Sequence, residues 1–225
     1  MRDSDKQRFK LKPGPKAALS ADGECVSAEP SDWLIRANQG HSIQLETNDH
    51  LTPLAVPLQG GGGGGGGAEG ELPPGTAAIP PTVVHGTYYA FWPRIVESGG
   101  LKPMGRNHVH FSVGLPEDAA GVVSGMRRDA ELLVYVDVAR SMAEGGIKWW
   151  LSQNGVVLTD GDEQGTVPLK YVKEVVGRKA EVGLLWKDGE KVADLPDGLE
   201  IRVPVGKDRT GNRGSRGGRG RGRGK

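Results

Sequence analysis

Three observations in the sequence predict a mixed α+β fold. Many short apolar runs with strand character recur from Thr82 onward. Helix signals are few and mark brief elements. Strands and helices do not alternate regularly, which argues against a doubly wound parallel sheet.

The first 58 residues have ordinary globular composition but little from which to build a core. Trp33-Leu34-Ile35 is a short apolar run, and Ser42-Ile43-Gln44-Leu45 alternates as a strand does. Lys12-Pro13-Gly14-Pro15 reads as turn material. Residues 59–79 form a Gly-rich linker, with Gly at every position from Gly60 to Gly67 and a Pro pair at Pro73-Pro74. The pattern tightens over residues 80–205. Thr82 to Thr87 predicts a strand that ends in a turn, and Pro93 starts a helix through Ile95, Val96 and Glu97 that Gly99-Gly100 closes. His108 to Ser112 predicts a second strand. Pro116-Glu117-Asp118 opens a second helix, its acids set against the positive end of the dipole, and Ser124 to Asp129 closes it. Glu131 to Val138 is a strongly apolar strand, Asn154-Gly155 a turn, and Gly155 to Leu158, Tyr171-Val172 and Val182 to Trp186 further strands.

The formal charge of +1 over 225 residues conceals an asymmetry. Residues 206–225 hold eight Lys and Arg against Asp208, a charge of +7, which leaves −6 on the remainder. This tail and the Gly-rich linker lack apolar residues to bury, so their composition predicts disorder. Cys25 is the only cysteine, which excludes a disulfide framework or a cysteine-based zinc site. No apolar run is long enough for a membrane span, and no signal peptide follows Met1. The expectation is a soluble intracellular protein, nuclear or cytoplasmic.

Four clusters carry chemistry. Arg36-Ala37-Asn38-Gln39-Gly40-His41-Ser42 gathers a guanidinium, two amides, an imidazole and a hydroxyl within seven residues. Such a set suits a multi-oxygen anion, since Arg offers two parallel hydrogen bonds, although a solvated polar loop has the same composition. His85-Gly86-Thr87 stands at a strand end, where Gly permits close approach of a ligand and His and Thr offer hydrogen bonds; the tripeptide alone is weak. In His108-Val109-His110-Phe111-Ser112, alternation puts both histidines and Ser112 on one face. Nothing adjacent completes a metal ligand set, so a polar cleft face is the reading that the pattern favours. Arg127-Arg128 offers cations, or simply answers a helix dipole. The Gly-rich run is not a phosphate loop, because no Lys-Ser or Lys-Thr follows it.

Taken in order, DKQRFKL (Asp5 to Leu11), IRANQGHS (Ile35 to Ser42), HGTYYAFWPRIVESGGLKPMGRNHVHFS (His85 to Ser112), SGMRRDAELLVYVDV (Ser124 to Val138) and NGVVLTDG (Asn154 to Gly161) resemble the tRNA 2′-phosphotransferase family. Each string is modest alone; five in sequence are specific. The resemblance implies a winged-helix lobe that meets RNA, here partial and within residues 1–58. It also implies a lobe of the ADP-ribosyltransferase fold that holds NAD⁺ as co-substrate, here residues 80–205. It implies two steps. An internal RNA 2′-phosphate attacks the nicotinamide ribose C1″ and expels nicotinamide. The ribose O2″ then attacks phosphorus, releasing 2′-OH RNA and ADP-ribose 1″,2″-cyclic phosphate. On that pattern Arg36 and Arg127 serve the phosphate, and His85, Gly86, Thr87, His110 and Ser112 bind NAD⁺. The third position of the ADP-ribosyltransferase triad falls near the apolar Val157. No metal is implied, and the expected partner is 2′-phosphorylated tRNA bound by a monomer. One departure concerns an Arg-His pair in a Leu-Ser…Leu-Arg-His context near the start of the family pattern, where the Arg binds phosphate and the His acts in catalysis. This sequence begins after that point, so a truncated form is expected. Two other readings remain: an ADP-ribosyltransferase that stops after the first step on nucleic-acid phosphates, and a non-catalytic RNA-binding protein.

Overall fold

The computed structural model describes residues 9–15, 17, 20, 29–38, 48, 50–57, 71–115, 125–179, 181–201 and 203. The strand expected at Ser42–Leu45, the helix start at Pro116-Glu117-Asp118, Cys25, the Gly60–Gly67 run and the basic tail lie outside these residues. Among the described residues the fold is mixed α+β, with several sheets and few helices.

A two-stranded antiparallel ribbon comes first, β1 (Phe9–Pro13) against β2 (Trp33–Ala37). Pro13, expected in a turn, closes β1 instead, and Gly14 makes the turn beside Asp32, its amide donating to that residue's carbonyl at 2.7 Å. The strands that follow are β3 (Thr52–Ala55), β4 (Ala77–Ala78) and β5 (Val84–Thr87). Helix α1 (Trp92–Glu97) begins with Pro93 in its first turn, where a missing N–H costs nothing. Two short strands succeed it, β6 (Gly100–Leu101) and β7 (Val109–Phe111).

The apolar run expected to stay extended through Val138 divides at Asp137. Strand β8 (Leu132–Val136) ends there, and the Asp137 carboxylate accepts the Arg140 amide at 3.0 Å to cap α2 (Val138–Gly145). Gly146, left-handed at φ 59°, terminates α2. The remaining strands are β9 (Trp150–Leu151), β10 (Val157–Thr159), β11 (Val167–Pro168), β12 (Val172–Gly177), β13 (Leu184–Lys187) and β14 (Glu190–Lys191).

Two five-stranded sheets dominate, in the orders β4-β3-β9-β10-β7 and β14-β13-β12-β8-β5. Strand β3 falls within the span expected for the first lobe and β4 within the expected linker, yet β3 pairs with both β9 and β4. Burial of Leu54 in the main core accounts for this recruitment. The inward residues of both sheets form one cluster, with Leu54, Val109, Phe111 and Val157 from the first and Leu132, Val134, Val175 and Leu185 from the second. Burying each of these side chains stabilises the fold by about 1.5–3 kcal/mol. Trp149 packs on Phe111 at 5.0 Å between ring centroids, and its indole N–H donates to Ser141 Oγ at 2.9 Å. The sheets meet where β5 and β7 touch. Val84 and Ser112 exchange two backbone hydrogen bonds of 3.0 and 2.8 Å there.

Candidate active site

The junction of β5 and β7 gathers five of the residues singled out in the sequence. His85 Nδ1 donates to the His110 carbonyl at 2.8 Å, because a carbonyl can only accept. That bond makes Nδ1 the protonated nitrogen and fixes the ring, which also stands edge-on to Phe111 at 5.7 Å. Alternation on β7 turns Val109 and Phe111 into the core and leaves His110 and Ser112 on the other face, as the pattern predicts. His110 Nε2 and Ser112 Oγ are both buried and have no hydrogen-bond partner. Buried polar atoms are nearly always paired, so two unpaired on one strand face are a feature that the fold's own hydrogen bonds do not explain. Burial, helped by the Arg106 guanidinium, lowers the His110 pKa to about 4. Its imidazole is therefore neutral at pH 7.

Residues 125–131 form a turn against this junction, and the helix that Ser124 to Asp129 is expected to close lies outside the described residues. A side chain at Gly125, whose φ is 93°, would strike the Phe111 carbonyl oxygen at 2.6 Å. Gly86 is explained by the same segment. A Cβ on it would lie 2.5 Å from Met126 Cγ and 2.8 Å from Ala130 Cβ, so the close approach that it permits is made by protein. The Glu131 amide donates to the Thr87 carbonyl at 2.8 Å, and Arg178 Nη1 donates to the carbonyls of Arg128 (2.9 Å) and Ala130 (3.3 Å). The turn presents Arg127 at the surface.

Two residues of this turn environment escaped the sequence reading. The buried Tyr88, next after Thr87, donates its hydroxyl to Asp129 Oδ2 at 2.9 Å. Burial first, and then the Asp129 carboxylate, raise the Tyr88 pKa. The tyrosine could have been found as the polar neighbour of a strand-end motif; Arg178, from β12's far end, carries no local signal.

Arg36 lies elsewhere. It faces Lys10 across the β1-β2 ribbon and lines an open cleft of about 600 Å³ together with Lys12, Leu34, His50, Thr52 and Gln153. Directly opposed like charges destabilise a β ribbon, so the Lys10–Arg36 pair favours an anion between them. The cleft floor at Leu51 joins Trp150, Val156 and Leu158 in a second apolar cluster, and Leu158 stands opposite His110 on the neighbouring strand. The first sheet's outer face thus runs from the cationic cleft toward the β5-β7 junction. Gln39 to Ser42, expected to share the anion site, lie outside the described residues.

The model of the RNA 2′-phosphotransferase, Tpt1 / KptA family matches residues 1–161. The chain belongs to that family. It is 36% identical over 199 residues to mouse tRNA 2′-phosphotransferase 1, covering 88% of this chain and 65% of the mouse protein. The human tRNA 2′-phosphotransferase 1 is 38% identical over 172 residues, 76% of this chain and 53% of that protein. The Saccharomyces cerevisiae tRNA 2′-phosphotransferase is 31% identical over 210 residues, 92% and 72% of the two chains. The chain thus spans between half and two thirds of the length of its mammalian relatives. The family match takes in the ribbon, the β5-β7 junction and the 125–131 turn.

Proposed function

We propose that this chain removes a 2′-phosphate from RNA by transfer to NAD⁺, with tRNA as the RNA, releasing 2′-OH RNA, nicotinamide and ADP-ribose 1″,2″-cyclic phosphate. Membership of the family supports the reaction class, and one structural observation carries the site: the unpartnered His110 Nε2 and Ser112 Oγ at the β5-β7 junction. A neutral imidazole and a hydroxyl fit the hydroxyls and carboxamide of a nicotinamide nucleoside, and a neutral imidazole adds no charge to repel its pyridinium ring. His85, Thr87, His110 and Ser112 are the residues that would hold NAD⁺, within a lobe of the ADP-ribosyltransferase fold, while Gly86 makes room for the 125–131 turn. When bound, NAD⁺ supplies a ribosyl carbon with a leaving group already attached.

The chain's own contribution is then electrostatic and positional. Arg127 answers the negative charge on the phosphate oxygens, where each well-placed donor lowers a barrier by about 3 kcal/mol. Arg36, with Lys10 and Lys12, holds the RNA strand on the partial winged-helix lobe. Hydrogen bonding of His85 to the His110 carbonyl keeps both side walls of the junction in fixed register.

The test supplies the chain with NAD⁺ and two RNAs that differ only in the 2′-phosphate. Nicotinamide release that requires the phosphate is expected. Equal release with both RNAs would contradict the reading, and RNA binding with no NAD⁺ consumption would favour a non-catalytic RNA-binding protein.

A further inference from the structure

Arg178, just past the end of β12, directs all its hydrogen bonds described here at one turn. Its Nη1 donates to the carbonyls of Arg128 at 2.9 Å and Ala130 at 3.3 Å, and its backbone amide donates to the Glu131 carbonyl at 2.8 Å. An Nη nitrogen carries two hydrogens, so one of them serves both side-chain bonds. The residue has no part in the reaction as read above, yet it holds the segment that bears Arg127.

We propose that Arg178 is a positioning residue for the 125–131 turn: it grips the turn's carbonyls and so keeps the Arg127 backbone at a fixed place beside His85-Gly86-Thr87. This rests on the reading of Arg127 as the phosphate's cation. The turn is gripped a second time from the end of β5. The Glu131 amide donates to the Thr87 carbonyl at 2.8 Å, the Tyr89 amide to Glu131 Oε2 at 3.2 Å, and the Tyr88 hydroxyl to Asp129 Oδ2 at 2.9 Å. The β5 end thus holds one amide and two carboxylates, whereas Arg178 holds the carbonyls. Between them the Ala130 amide closes on the Arg127 carbonyl at 3.2 Å, which ties the backbone of Arg127 to the clamped residues.

The two grips do different work. The carbonyls of Arg128 and Ala130 belong to no strand ladder, so without Arg178 they turn to water and that side of the turn is released. A guanidinium suits the task, because its charge-assisted bonds are roughly twice as strong as neutral ones. The strands beneath depend on their own ladders, β5 on β8 from Val84 to Thr87 and β7 on β10 from Val109 to Phe111. Loss of Arg178 therefore loosens the turn and leaves His85, Thr87 and His110 in register. The consequence falls on Arg127, whose side chain reaches the phosphate only from where its backbone stands. A misplacement of about 1 Å can slow a positioned reaction by about a hundredfold.

Arg178→Met keeps an unbranched stem and the backbone bond to Glu131 but removes the side-chain donors, and the residue is exposed, so the fold should survive. Arg178→Lys keeps a charged donor. Amide hydrogen exchange of the full chain reads the turn directly. In Arg178→Met the Ala130 and Glu131 amides should exchange about tenfold faster, with a smaller change in Arg178→Lys. The Val136 amide, bonded to the Val83 carbonyl within the same sheet region, should be unchanged. Turn amides that stay as protected as in the parent, or equal acceleration of all three, would overturn the proposal. The kinetic readout is kcat on 2′-phosphorylated RNA, expected to drop about tenfold in Arg178→Met with KM for NAD⁺ unchanged, and to recover in part in Arg178→Lys. In an Arg127→Ala background Arg178→Met should cost nothing further. An equal drop in both backgrounds would give Arg178 a role independent of Arg127 and refute positioning. If the parent turns over no RNA, the proposed function fails while the exchange rates still decide whether Arg178 holds the turn.

Discussion

Arg127 and Arg128 are adjacent and both exposed, yet their surroundings differ. Among the described residues no hydrogen bond engages the Arg127 guanidinium, whereas Arg128 contributes its carbonyl to Arg178. Arg127→Ala should therefore slow 2′-phosphate removal by roughly a hundredfold, the effect of losing about 3 kcal/mol of transition-state stabilisation, and Arg128→Ala should leave it nearly intact. Steady-state rates on one RNA check this, and equal rates for the two variants would refute the assignment. His110 makes a second prediction at this scale. Its pKa falls from 6.5 in the unfolded chain to about 4 in the folded one, so the unfolded state binds more protons between those values. Stability rises with pH across that window and is level above it for this group, and acidification to pH 4 removes up to about 3 kcal/mol. Arg106, His108 and His85 are the charged and titratable neighbours; their charges oppose protonation, while a hydrogen bond with the His108 backbone favours it. Chemical denaturation at pH 4.5 and 7 should show a larger loss for the parent than for His110→Asn; equal losses would mean that His110 is not the group responsible. The alternation that set His110 and Ser112 on one face was legible in the sequence, because a strand's period of two is local. That both would be left without partners was not, since it depends on β5 and on the distant turn.

Among the elements, those whose signals are local were readable. Helix α1 follows from Pro93 and Gly99, and the strands at Val84–Thr87 and Val109–Phe111 from their apolar patterns. Helix α2 was hidden because Val138 continues the apolar run of β8, and only the capping role of Asp137 divides them. Recruitment of β3 to the first sheet could not be read either, because β9, its partner roughly a hundred residues away, leaves no trace in local composition, and β4 joins only through β3. The contact between β5 and the 125–131 turn supplies the test at this scale. Gly86→Ala puts a methyl group into Met126 and Ala130, which must move away together with the loop that carries Arg127. A loss of about 1–3 kcal/mol is expected, seen as a melting temperature lower by several degrees, together with weaker NAD⁺ binding. Unchanged melting would show that the turn does not rest on Gly86 as described.

The whole molecule combines a cationic ribbon, a junction of two sheets with neutral polar groups, and a basic C-terminal sequence. The ribbon's Lys10, Lys12 and Arg36 line one cleft, whereas His85, His110 and Ser112 gather at the other place. That division fits a substrate with a polyanionic strand and a co-substrate recognised through hydroxyls. We propose that the +7 charge of residues 206–225 adds a third, sequence-independent attraction for RNA. Deleting those residues should weaken RNA binding and flatten its dependence on salt while NAD⁺ affinity stays the same. An unchanged salt slope would remove the tail from the account.

The central claim, that the family's reaction runs at the β5-β7 junction of this chain, is tested most directly by following phosphorus. The chain is given NAD⁺ and an RNA bearing one internal 2′-phosphate, and the products are resolved by ³¹P NMR and mass spectrometry, in parallel with Arg127→Ala. The account predicts that the phosphorus leaves the RNA and appears in ADP-ribose 1″,2″-cyclic phosphate, with the transfer suppressed in the variant. Phosphorus that stays on the RNA as a lasting ADP-ribosyl adduct, or transfer that is indifferent to Arg127, would contradict it.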